Sequence, residues 1–152
     1  YGTWTSGVGI WKKDYDRIPK DLKYDSISPH ACILYSERKK EKYIINDMYW
    51  MSEIDSDHSK KGKYDLFKAF ALDEFIITIN LYRDGDITID TLKSVKQSFL
   101  EFLQNLYYEF VLQKKACSYD LLGFDKYADV FFDKDVIIEG AKKKFEKMVE
   151  SK

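Results

Sequence analysis

The feature that most constrains this chain is the stretch from Ile87 to Gln113, ITIDTLKSVKQSFLEFLQNLYYEFVLQ, its longest run of unbroken helical periodicity. Leu92, Val95, Phe99, Phe102, Leu106 and Phe110 recur every three or four residues, with Lys93, Gln97, Glu101, Gln104 and Tyr108 on the other side. That is the pattern of an amphipathic helix with one buried face. In the second half Leu100, Leu103, Tyr107 and Val111 widen the apolar stripe, so this end needs cover from more than one side. Thr88 suits the N-cap, because its hydroxyl can accept from a backbone N–H of the first turn. Ile87 and Leu92 have the spacing of a hydrophobic staple, and Asp90 suits the positive end of the helix dipole. About 22 residues at a rise of about 1.5 Å would span on the order of 33 Å, the width of a small domain. The pattern predicts a helix running through the middle of the fold.

A chain of 152 residues can form one domain, 1–152, that buries roughly 68–70% of its unfolded surface without disulfide or metal staples. Charged residues make up 34% and hydrophobic residues 45%, which excludes the polar, highly charged composition of a disordered chain. The net charge is −1 and both halves are balanced, which argues against an extended basic footprint for nucleic acid or an anionic membrane. Cys32 and Cys117 lie far apart in apolar contexts, so buried thiols in a reducing compartment are expected rather than a disulfide framework. No run approaches the roughly 20 apolar residues of a membrane span, and no segment has the layout of a signal peptide. A cytoplasmic location without membrane contact is therefore expected. The first residue is Tyr1 rather than Met, as a processed or trimmed start would leave it.

The rest of the chain reads as strands early and helices late. Residues 1–12 place Trp4, Val8 and Ile10 on one parity, as a half-buried strand would. The segment 13–30 holds both prolines and reads as a connection, with one helical turn at Pro19–Leu22. Ala31–Ser36 and Lys42–Met51 flank a charged loop and are expected to pair as an antiparallel hairpin. After the polar loop 52–63, Tyr64–Leu72 suits a short helix ending at Asp73 and Glu74. The run Phe75–Leu81 is dense in Ile and Thr and prefers a strand. Arg83–Asp86 then turns into the long helix. Beyond Gln113, Ser118 can cap a short helix ending at Gly123, Asp125 another carrying Tyr127, Val130 and Phe131, and Asp133 or Asp135 the last. In that last helix Ile137, Ala141, Phe145 and Met148 form the apolar stripe. The expected fold is α+β: a small antiparallel sheet from the N-terminal half, packed against the long central helix and the C-terminal helices.

Few residues suggest chemistry. Gly7-Val8-Gly9 lacks the third glycine of a dinucleotide fingerprint, position 12 being Lys12, and reads as a strand entry. Asp84-Gly85-Asp86-Ile87 has the look of the middle of a calcium loop, but that register puts Tyr82 third and Thr91 twelfth, where oxygen ligands and a bidentate Glu belong. Glu53, Asp55, Asp57 and His58 could gather a divalent ion, although Lys60, Lys61 and Lys63 follow at once and a solvated mixed-charge loop accounts for the stretch. Asp25, Glu37 and Lys39 loosely resemble the acidic and lysine groups that hold a metal and offset charge on a phosphodiester. His30, near Cys32, and His58 are the two imidazoles, and neither has the surroundings of a nucleophile's base. No catalytic residue, metal site or cofactor is expected.

The unusual feature of the composition is its aromatic content of 16%, with 12 Tyr, 10 Phe and 3 Trp. Most Phe residues fall on helical stripes and belong in the core. Tyr43, Tyr49, Trp50, Tyr107 and Tyr108 are harder to bury together, and Tyr and Trp are favoured binding anchors because they offer rigid area with a polar handle. The expected function is that of a small module binding another protein, an inhibitor or immunity protein being the class in view. A divalent-metal-dependent phosphodiesterase or nuclease is the alternative.

Overall fold

The computed structural model describes residues 12–21, 32–33 and 63–150. The chain forms two compact units, residues 1–54 and 55–152. In the first, α1 (Lys12–Tyr15) is a single turn whose Lys12 ammonium reaches the Asp16 carboxylate at 2.8 Å, one turn on. Both groups are exposed, and such a pair contributes at most a fraction of a kcal/mol, about 0.3–0.5. Of the expected helical turn at Pro19–Leu22, Lys20 and Asp21 lie in a turn and Leu22 is outside the described residues; Ile18 just before it is buried. Cys32 and Ile33 have helical backbone, and the remainder of the expected hairpin and first strand lies outside the described residues.

The second unit corrects the expected fold class. The structure is 72% helical and has no strand or sheet among the described residues, so it is predominantly helical rather than α+β with an antiparallel sheet. Extended pairing among these residues is confined to one parallel bridge, Asp65 to Asp120. Helix begins at Leu66 and runs through a π-helical segment (Lys68–Asp73) directly into α2 (Glu74–Arg83). Phe75–Leu81, expected as a strand, is therefore helix. Ile and Thr disfavour a helix by only a few tenths of a kcal/mol each, and burial of Phe67 and Phe75 at about 1.5–3 kcal/mol each outweighs their sum. The spacing of the buried side chains decides the matter: Phe67, Ala71 and Phe75 recur every four residues and join one core cluster, with Ile79 packed against it. Asp73 and Glu74 do not stop the helix. Lys68 forms an ion pair with Asp73 inside it, and Glu74 is buried with its N–H bonded to the Ala69 carbonyl, closing a π turn.

The turn after α2 shows why Gly85 stands there. Its φ is +78°, Gly85 N donates to the Tyr82 carbonyl at 3.0 Å, and Asp86 N donates to the Leu81 carbonyl at 2.9 Å. Together these make a Schellman closure, which needs a left-handed residue that Gly adopts without a Cβ penalty. The long helix follows as α3 (Ile89–Leu106), with Thr88 at its N-cap accepting from Thr91 N at 3.2 Å and Asp90 in the first turn, as the sequence predicts. It ends in a second π-helical segment (Tyr107–Leu112), where Gln113 N donates to the Tyr108 carbonyl at 2.9 Å. Leu103 is its one fully buried residue before Leu106, and Leu92, Val95, Phe99, Leu100 and Leu106 pack half-buried against the core. Leu103, not Phe102, marks the centre of the buried face. Phe102 stays 40% exposed and meets Phe70 edge-on at 5.1 Å.

No helix forms between Ser118 and Gly123. α4 (Phe124–Phe131) instead starts after Gly123, whose carbonyl accepts from Tyr127 N at 2.9 Å. α5 (Lys134–Glu150) is capped by Asp133, whose carboxylate accepts from Asp135 N at 2.9 Å and Val136 N at 3.4 Å. Phe124, Ala128 and Phe132 from α4 and its exit meet Phe67, Phe75, Leu103 and Ile137 in the core. Phe75 touches three rings, Phe99 at 5.5 Å, Phe131 at 5.4 Å and Phe132 at 4.9 Å.

Candidate functional site

Tyr107 and Tyr108 are the candidate anchors within the described residues, and Tyr43, Tyr49 and Trp50 lie outside them. Both described tyrosines are half-buried at the start of the second π-helical segment, yet their surroundings differ. Tyr107 packs against the core, its ring 4.6 Å from Phe124 and 6.4 Å from Phe67. Tyr108 faces α5. Its hydroxyl oxygen accepts from the Gln113 amide at 2.6 Å, and its ring meets Phe145 edge-on at 6.4 Å.

The seam that carries this pair runs parallel along α3 and α5. Gln104 Nε2 donates to the Val136 carbonyl at 3.3 Å, Lys144 Nζ donates to Asn105 Oδ1 at 2.5 Å, and Tyr108 meets Phe145 further on. The helices approach closely at Gly140, where an added Cβ would overlap the Gln104 amide. That amide is the end of a flexible side chain. Gly140→Ala should therefore trade a helix-propensity gain of about 0.8–1 kcal/mol against loss of one exposed hydrogen bond of about 0.5–1.5 kcal/mol, leaving stability close to that of the parent. A urea midpoint shifted far downward in that variant would show that the seam cannot open at Gln104.

Phe145 departs from its expected place. Ile137 and Ala141 are fully buried as the stripe predicts, but Phe145 is 41% exposed. α5 thus buries its first half and leaves an aromatic side chain open beside Tyr108. Leu122 was not singled out by any pattern and is 90% exposed, in the loop before α4. Its N–H is tied to the Asp120 carboxylate at 2.9 Å. No periodicity marks Leu122, and the stripe that includes Phe145 shows which residues share a face and not where the covering element ends.

A second tyrosine pair flanks the Asp65–Asp120 bridge. Tyr64 and Tyr119 have ring centroids 5.0 Å apart, and Phe110 lies edge-on to Tyr119 at 5.6 Å. Burial first, then the Tyr64 hydroxyl and the Cys117 thiol, push the Tyr119 phenol up to about 12, and burial raises Tyr64 as well. An unfolded tyrosine loses its proton near pH 10. Between pH 10 and 12 the folded chain therefore holds more protons than the unfolded one, so stability falls as pH rises through that window. Tyr119→Phe should flatten the fall in unfolding free energy between pH 10 and 12, followed by urea titration at each pH. It should also remove a late-ionising component from the 295 nm absorbance; an unchanged pH slope would mean that the pair titrates like exposed phenols.

The acidic turn Asp84-Gly85-Asp86 sits between two helices, not after a strand. The calcium-loop register fails here for a second reason: Asn80 and Tyr82 are inside α2, and five residues separate α2 from α3, too few for a twelve-residue loop. Among the described residues no group of three or more His, Cys, Asp or Glu side chains could hold a metal ion. The other metal candidates, Asp25, Glu37 and Lys39 with Glu53, Asp55, Asp57 and His58, and likewise His30, lie outside the described residues. No disulfide joins Cys32 and Cys117. Among the described residues no helix is long and apolar enough to cross a membrane. The chain matches no family model, no curated protein and no solved structure.

Proposed function

We propose that this chain is a protein-binding module that docks a partner protein on the aromatic ledge of Tyr108 and Phe145, acting by occupancy as an inhibitor or immunity protein does. The observation that supports this reading is the half-open pair itself: an exposed Phe145 beside a Tyr108 whose hydroxyl is held by Gln113. Aromatic side chains with few rotatable bonds lose little entropy on binding, and a pre-held ring loses less. Tyr43, Tyr49 and Trp50 stand as a separate proposed set of anchors in the first unit, taken by itself.

The test begins with affinity capture of the tagged chain from lysate of its source cell. Binding of the captured partner is then measured with Tyr108→Ala, Phe145→Ala and the double variant. An anchor residue is worth about 2 kcal/mol, so each single variant should weaken binding roughly 30-fold. Circular dichroism checks that the variants remain helical. Unchanged affinity in the folded double variant would remove the ledge from the interface, and the same measurement on Tyr49→Ala and Trp50→Ala would then decide whether the first unit supplies it.

A further inference from the structure

We draw no further inference here: the strongest candidate, the surface patch at Leu122, 90% exposed in the loop before α4, carries nothing because nothing in the structure shows what covers it.

Discussion

Phe75→Ala should lower the unfolding free energy by about 3–5 kcal/mol, the range for truncating a fully buried aromatic residue. Phe75 is 1% exposed and contacts Phe99, Phe131 and Phe132, so its ring joins α2, α3 and the end of α4. Removing it forfeits the transfer energy of the ring and leaves a cavity that three neighbouring rings can fill only by leaving their own contacts. A domain is stable by only about 5–15 kcal/mol, so this one change could take most of the margin. Urea unfolding followed by circular dichroism measures the loss. Neighbouring positions make the result diagnostic of the helix. Ile76 is exposed and Ile79 packs on the core, so Ile79→Ala should cost more than Ile76→Ala. Helical spacing puts residues 75 and 79 on one face while a strand would add 77 to them. If Ile77→Ala proved as costly as Phe75→Ala, the alternation of a strand would describe this segment better than the period of a helix.

That segment also shows how far the sequence could be read. The chain's elements are set by two kinds of information, local preference and the position of neighbours, and a pattern reports the first directly. Thr88 and Asp90 were legible as a helix start because a cap is made by residues within one turn of each other. The stripe Ile137–Ala141 was legible for the same reason. Phe75–Leu81 was not, because its Ile and Thr content expresses a preference of a few tenths of a kcal/mol per residue, and the packing of Phe75 against three rings overrides it. The two π-helical segments were not legible either, since one wide turn leaves the apolar residues still three to five apart. The sites divide in the same way. Tyr108 was singled out because its chemistry is visible in one letter. Phe145 continues a stripe and so reads as core, and only the place where the cover of α5 ends reveals that it stands open.

Gly123 is the other position of large effect, and its role depends on two segments far apart in sequence. Its backbone, φ −74° and ψ −4°, is open to any residue, so Ala would by entropy alone stabilise the chain by about 0.4–1 kcal/mol. Space reverses the sign. A Cβ at Gly123 would overlap both carboxylate oxygens of Asp65 and lie 2.5 Å from its Cγ. Asp65 cannot withdraw at no cost. Its Oδ1 accepts from Lys68 N at 2.8 Å, capping the helix that begins at Leu66, and its neighbours are bonded to Asp120 through Leu66 N and Tyr64 O, each at 2.9 Å. Nor can Gly123 move alone, because its carbonyl accepts from the first turn of α4, which carries Phe124 and Ala128 into the core. Gly123→Ala should therefore cost about 2–4 kcal/mol, combining overpacking of about 1–3 kcal/mol with a strained or lost cap of about 1 kcal/mol. Asp65→Ala alone should cost about 0.5–2 kcal/mol as a lost cap. Once the carboxylate is gone the added methyl has room, so the double variant should be more stable than the two single losses together would make it, by about 1–3 kcal/mol. Additive losses in that cycle would mean that the cost at Gly123 comes from elsewhere. A coupled result would establish that one glycine and one carboxylate, 58 positions apart by their numbers, fix the start of two helices together.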